Sequence, residues 1–216
     1  MSPTRFKVCC IGGPDEASLA IRYGASAIGL VSAMPSGPGV IGEELIRRIA
    51  ASTPPAVSTF LLTSLTDPAA IAEQHRRCAT TAIQLVDRME ASACEELRAA
   101  RPGVRLVQVV HVTGPAALGE AVEAARYADA LLLDSGRPDL AVKELGGTGR
   151  VHDWAVSRAI REAVEIPVFL AGGLGPRNVA EAVRAVEPYA VDVCSGVRTG
   201  GRLDEDKLAR FAAALA

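Results

Sequence analysis

The chain has 216 residues, 49% hydrophobic, 22% charged and 4% aromatic, with a formal net charge of -2. That length supports a substantial core, the composition argues against disorder, and the lack of a basic excess or clustered aromatics argues against a nucleic-acid surface. No apolar run reaches the roughly 18 residues of a membrane span. The opening stretch Met1–Lys7 carries no signal-peptide hydrophobic region, and five Cys is an odd number, so the expectation is a cytoplasmic protein with reduced thiols.

Short apolar runs recur along the chain at Phe6–Cys10, Ala27–Ser32, Val57–Leu62, Ala82–Val86, Leu106–His111, Ala130–Asp134, Val168–Ala171 and Ala190–Cys194. Most are apolar at successive positions, the pattern of strands buried on both faces. Amphipathic stretches lie between them. Glu43–Ala51 gathers Leu45, Ile46 and Ile49 on one face and Glu44, Arg47 and Arg48 on the other. Arg177–Val186 turns Val179, Ala182, Val183 and Val186 inward. Asp67-Pro68 and Gly175-Pro176-Arg177-Asn178 read as helix starts. Strand-to-strand spacing is that of a βα unit, roughly 25–30 residues. Eight such units without a composition break predict a single-domain (β/α)8 TIM barrel, with a parallel eight-stranded sheet, over residues 1–216. The alternative is an open doubly wound sheet, but no G-x-G-x-x-G fingerprint follows the first strand.

In a barrel the chemistry belongs at the carboxyl ends of the strands. Cys9 and Cys10, His111, Asp134 and Cys194-Ser195 fall there, with Gly146-Gly147-Thr148-Gly149, Gly172-Gly173 and Ser195-Gly196 in adjacent loops. Glycines let backbone N–H groups approach an anion closely, so these loops read as a phosphate site or as tight turns only. Asp134 after Leu131-Leu132-Leu133 reads as a cap, an ion-pair partner or an acid whose pKa an apolar mouth would raise. Cys9 alone reads first as a small apolar filler. Asp192 reads as a support for the phosphate loop, and His111 as a proton shuttle or a structural histidine. His75 and His152 are expected at the surface and in a solvated loop. No His/Cys spacing matches a metal site. The Cys9-Cys10 pair is not a C-x-x-C motif, and adjacent thiols make a strained disulfide.

Taken together, the motifs resemble the phosphoribosylanthranilate isomerase family. They are Lys7-Val8-Cys9, Ala130–Ser135, Gly146–Gly149 followed by Asp153-Trp154, Ala171–Leu174 with Pro176 and Asn178-Val179, and Pro188–Val197. The resemblance implies a (β/α)8 enzyme of tryptophan biosynthesis. Its reaction is the Amadori rearrangement of an N-linked phosphoribosylamine to a 1-amino-1-deoxyribulose 5-phosphate, without metal or cofactor. It implies Cys9 as the general base and Asp134 as the general acid. It also implies that the sugar phosphate is held by Gly147, Thr148, Gly172, Gly173, Ser195 and Gly196. A small-molecule sugar phosphate is the expected partner, with no nucleic acid or membrane, and a monomer or homodimer as the assembly.

The amino-terminal half departs from the family pattern. Pro38 stands where the family has an Arg for the anthranilate carboxylate, Val86 where it has His, Gln108 where a basic residue is usual, Cys10 for Gly, Gly12 for Thr and Arg198 for Glu. Arg137, Arg150 or Arg198 are the candidates to return a cation. The departures leave two alternatives open: a paralogue acting on a pentose phosphate without an ortho carboxylate, or a non-catalytic barrel that binds a phosphate ligand.

Overall fold

The computed structural model describes residues 4–35, 37–136 and 152–216. Eight parallel strands run in sequence order β1 (Arg5–Val8), β2 (Ala27–Val31), β3 (Ser58–Thr63), β4 (Ala82–Leu85), β5 (Arg105–His111), β6 (Ala130–Asp134), β7 (Val168–Leu170) and β8 (Ala190–Val193). They form a closed barrel, sealed where β1 pairs with β8 in the register Lys7↔Asp192 and Val8↔Val193. Each expected run is a strand: Ala130–Asp134 matches at both ends, and no other end shifts by more than two residues. The largest shift is at the first, where the chain leaves the ladder before Cys10, which adopts the left-handed conformation (φ 61°).

The helices are α1 (Pro14–Arg22), α2 (Glu43–Ser52), α3 (Pro68–Cys78), α4 (Ala91–Ala100), α5 (Ala117–Ala124), α6 (Trp154–Ala163), α7 (Val179–Val186) and α8 (Glu205–Ala213). Local sequence explains several starts. Asp67 caps α3 by accepting from the Ala70 amide at 2.7 Å, with Pro68 in the first turn. Asp153 and Asp204 cap α6 and α8 in the same way. A short antiparallel ribbon, β9 (Arg198–Thr199) and β10 (Arg202–Leu203), follows β8 and was not foreseen from sequence. It turns on Gly200-Gly201, both at positive φ.

Alternation along each strand divides the core in two. Phe6, Val8, Ile28, Leu30, Leu131, Leu133, Val191 and Val193 face the helices in one large cluster. Cys9, Val31, Phe60, Val86, Val109, Leu132, Phe169 and Ala171 belong to a second cluster that fills the barrel. Phe60 and Phe169 meet edge to face across that interior at 5.8 Å. Outside the barrel, Phe6 packs edge to face on Phe211, fixing α8 against β1.

His75 is a correction. It is buried, not at the surface: its imidazole Nε2 lies 2.8 Å from the Thr80 carbonyl, and Arg101 donates to Nδ1 at 3.0 Å. Burial, with the Arg101 charge adding, lowers its pKa. The imidazole replaces a solvent contact with a tie between α3 and the strand that follows.

Candidate active site

Lys7 of β1, Asp192 of β8 and Cys9, the residue just past β1, form the base of the site. Lys7 is fully buried, and its ammonium donates to Asp192 at 2.9 Å inside the barrel. Burial alone would lower the Lys7 pKa, but the Asp192 carboxylate, with Cys9 beside it, raises it above the ordinary value, so Lys7 stays charged. Gly29 of β2 makes room for this arrangement. A Cβ on Gly29 would lie 3.0 Å from both Cys9 Sγ and Lys7 Nζ, which places the thiol and the ammonium against the same bare stretch of backbone. Lys7 is the main residue that the sequence reading missed. The available signal was its parity: it shares a face with Cys9, and its neighbours Phe6 and Val8 face the helices.

Across the mouth, Asp134 ends β6 opposite His111 of β5 in the parallel register. Burial raises the Asp134 carboxyl above its ordinary pKa, against the Ser135 amide, which donates to it at 2.7 Å, and the nearby His111. His111 is buried, with Nε2 3.1 Å from the Val86 carbonyl. A carbonyl accepts only, so Nε2 is the donor in this contact. The His111 Nδ1 is buried and without a hydrogen-bond partner. An imidazole therefore reaches the end of β4 from the neighbouring strand, although residue 86 itself is Val.

The loops after β7 and β8 enclose a cavity of about 600 Å³ lined by Gly173, Arg177, Ser195, Gly196, Lys207 and Arg210, among others. Gly172 and Gly173 both have positive φ (82° and 64°), which an L side chain rarely adopts. Asn178 staples this turn, donating to the Gly173 carbonyl at 3.0 Å and accepting from the Gly175 amide at 2.8 Å. Gly196 lies in a 3-10 turn (Ser195–Val197), and a methyl group there would overlap the Leu174 carbonyl oxygen. The two loops therefore touch through backbone alone. Gly173, Ser195 and Gly196 line this one cavity, whereas the Cβ position of Gly172 faces Ser135 and His152. Arg177, Lys207 and Arg210 are cations that the sequence reading had not placed here. Gly147 and Thr148 lie outside the described residues, as do Arg137 and Arg150.

His152 is a second correction. It packs under Gly172 and is half-buried, with Nε2 2.7 Å from Ser157 Oγ. Burial pushes its pKa down to about 4. Arg198 does not supply a free cation to the mouth. It donates to Glu16 at 3.0 and 3.1 Å and to the Cys9 and Cys10 carbonyls, tying α1 to the loop after β1. Although burial works the other way, Arg198 and the Leu203 and Gly12 amides hold the Glu16 carboxyl below its usual range.

At the ends of β4 and β5 a smaller cavity of about 320 Å³ is lined by Asp87, Arg88, Gln108, His111, Glu120 and Tyr127, among others. Arg88 is the one Lys or Arg side chain among the described residues that line it. Gln108 does not replace a basic ligand. It donates to the Leu85 and Asp87 carbonyls and accepts from the Met89 amide, which pins the turn after β4. Among the described residues no group of three or more His, Cys, Asp or Glu is arranged to hold a metal, and no helix is long and apolar enough to cross a membrane.

The sequence profile of the N-(5'phosphoribosyl)anthranilate (PRA) isomerase family matches residues 14–214. This chain belongs to that family. The Haloferax volcanii N-(5'-phosphoribosyl)anthranilate isomerase is 41% identical over 215 residues, covering 98% of this chain and 92% of the relative. The phosphoribosyl anthranilate isomerase structure from Thermotoga maritima superposes with a TM-score of 0.84 at 29% identity, covering 98% of each chain. Another isomerase structure, solved with reduced 1-(o-carboxyphenylamino)-1-deoxyribulose 5-phosphate, gives a TM-score of 0.82 at 26% identity, again over 98% of each chain.

Proposed function

We propose that this protein isomerises N-(5'-phosphoribosyl)anthranilate to 1-(o-carboxyphenylamino)-1-deoxyribulose 5-phosphate, with Cys9 as general base and Asp134 as general acid. The observation that carries the reading is that Cys9 and Asp134 end inward-facing positions of β1 and β6, while the glycine loops of β7 and β8 close a cation-lined cavity beside them. Family membership and the compound bound in the relative favour the anthranilate substrate over the two alternatives.

The phosphate enters the β7–β8 cavity, where backbone amides and the Lys207 and Arg210 side chains match its charge. Asp134, kept protonated to higher pH by burial, gives its proton to the ring oxygen, and the furanose opens to a Schiff base. Cys9 then takes the proton from C2, and the enolamine that forms tautomerises to the ketone. The Lys7 ammonium beside Cys9 stabilises the negative charge that a proton acceptor must carry. The unpartnered Nδ1 of His111 is placed to hydrogen-bond a sugar hydroxyl, and Arg88 is the candidate partner for the aglycone carboxylate.

The test is turnover of phosphoribosylanthranilate by the purified protein, followed by loss of substrate fluorescence, together with growth of a strain lacking the isomerase. Product formation and restored growth are expected. Neither occurring, with folded protein in hand, would overturn the reading. Asp192→Asn tests the positioning role of the buried pair. It should lower kcat and shift the pH profile of kcat while leaving KM for the phosphate-bearing substrate largely unchanged; a purely structural role would leave the profile in place.

A further inference from the structure

The five cysteines fall into two groups. Cys78 and Cys94 are buried under helices α3 and α4, and burial pushes each thiol up to about 11. Cys9, Cys10 and Cys194 gather at the seam where β1 meets β8. The sequence reading set aside Cys10 because its neighbour Cys9 is a poor disulfide partner. The fold supplies a different one: Cys10 Sγ and Cys194 Sγ lie 2.8 Å apart, from positions 184 residues apart in the chain.

We propose that Cys10 and Cys194 are a reversible dithiol–disulfide pair, oxidised by a hydroperoxide, at the rim of the barrel. Three observations carry this. First, the sulfurs stand less than about 1 Å beyond the bonded S–S distance of about 2.04 Å, so closure needs only a small side-chain movement. Second, β1 and β8 are locked in register up to Val8↔Val193, and the Cys9 amide donates to the Val193 carbonyl at 2.8 Å, so the backbone holds both cysteines in place. Third, Cys10 is a non-glycine residue at φ 61°, a left-handed conformation that L residues rarely adopt. Its side chain meets Cys194 just past β8, and Gly39 of the loop after β2 packs so closely on Cys10 that a Cβ there would lie 2.5 Å from the Cys10 Cβ.

The two thiols are also chemically unequal. The contact with Cys10 lowers the Cys194 pKa against burial, and Arg198 adds to it. The same contact, with Cys9 adding, raises Cys10. Cys194 is the more accessible of the two, so it is the attacking group. Its thiolate attacks one peroxide oxygen and the O–O bond breaks. The departing hydroxide takes up the proton that the thiol had lost and leaves as water, and Cys194 becomes a sulfenic acid. Cys10 sulfur then attacks Cys194 sulfur. The S–S bond forms, the S–O bond breaks, and the hydroxide leaves as a second water with the Cys10 proton. Two thiols and one hydrogen peroxide give one disulfide and two waters; the sulfurs lose two electrons and the peroxide oxygens gain them.

The bond would tie the residue next to Cys9 to the residue before Ser195. Its effect on turnover rests on the function proposed above, whereas its formation does not. The experiment treats the reduced full-length protein with a small molar excess of hydrogen peroxide. Thiols are then counted in denaturant, and linked peptides are identified by mass spectrometry. The titre should fall from the five cysteines to three, with Cys10 linked to Cys194, and dithiothreitol should restore it. Cys194→Ser and Cys10→Gly should each abolish the fall, the latter at a backbone position that glycine accepts without strain, while Cys9→Ser should still lose two thiols. An unchanged titre, or a Cys9–Cys10 link, overturns the proposal. In the same samples, a fall in turnover that dithiothreitol reverses supports the coupling to activity, and undiminished turnover of fully linked protein overturns it. If the reduced protein has no turnover, the isomerase reading fails while the peptide result still decides the dithiol pair.

Discussion

The two sides of the barrel mouth are built from different materials. On the β7–β8 side, the wall rests largely on backbone: two glycines at positive φ, a third whose missing side chain lets two loops touch, and an asparagine that fixes the turn, with Lys207 and Arg210 lining the same cavity. On the β2–β4 side, it rests on side chains, and there the chain carries Pro38 and Val86. Backbone recognition leaves few substitutions that preserve it, because almost any side chain at Gly196 collides. Side-chain chemistry can move: residue 86 carries no imidazole, but His111, one strand over, brings one to 3.1 Å from the Val86 carbonyl. Divergence in sequence on the second side is therefore weaker evidence of divergence in chemistry than it looks from the sequence alone.

The largest expected effect sets the reference for both sides. Asp134→Asn keeps the shape of the carboxyl but removes the proton, so kcat should fall by about 10²–10⁴-fold with KM little changed. A large rise in KM instead would mean that Asp134 binds substrate and belongs to one side of the mouth. Next, Gly196→Ala drives a methyl group into the Leu174 carbonyl and forces the β7 and β8 loops apart. A misplaced phosphate at this distance from the reacting carbon should lower kcat/KM by about 10²-fold, and inorganic phosphate should inhibit the variant less well than the wild type. Equal inhibition of both would place the phosphate elsewhere. On the other side, Arg88→Ala should raise KM by about tenfold or less, with kcat nearly intact, the loss expected for one exposed charge-assisted contact. Adding Pro38→Arg to that variant should recover part of the loss. An Arg88→Ala enzyme with unchanged KM would assign the carboxylate to another group.

This contrast also explains what could be read from the sequence. The eight strands were legible because strands buried on both faces are continuously apolar, and the periodicity of α2 and α7 named their inward residues. The glycine turns after β7 and β8 were legible because a backbone at positive φ, or in close contact with another backbone, needs glycine. Lys7 was not, because a charged residue in a strand reads as an interruption until its partner, 185 positions away, is known. Lys207 and Arg210 sit on α8, which follows a ribbon that gave no sequence signal, so nothing local pointed them at the phosphate loops. His75 and His152 were misplaced for one reason. His75 has polar neighbours in sequence and His152 lies beside a glycine-rich loop, yet each is covered in the fold, and burial depends on what lies across the contact.

The smallest expected effect concerns stability on the phosphate side. His152 packs under Gly172 with a pKa near 4 in the fold, against about 6.5 in an unfolded chain. Above about pH 7 both states hold it neutral and it contributes nothing to the pH dependence. As pH falls through 6.5 the unfolded chain takes up the proton first, so stability is lost with falling pH, and the loss stops growing once the folded histidine also protonates near pH 4. At pH 6 the loss should be just under 1 kcal/mol by this linkage. His152→Gln has no proton to take up, so the difference in stability between variant and wild type should narrow in the variant's favour between pH 7.5 and pH 6, measured by urea denaturation. Other groups that titrate in this range, His75 among them, cancel in that difference because both proteins carry them. A difference independent of pH would mean that His152 is solvated in the folded protein. The glycine turn above it would then rest on Asn178 alone.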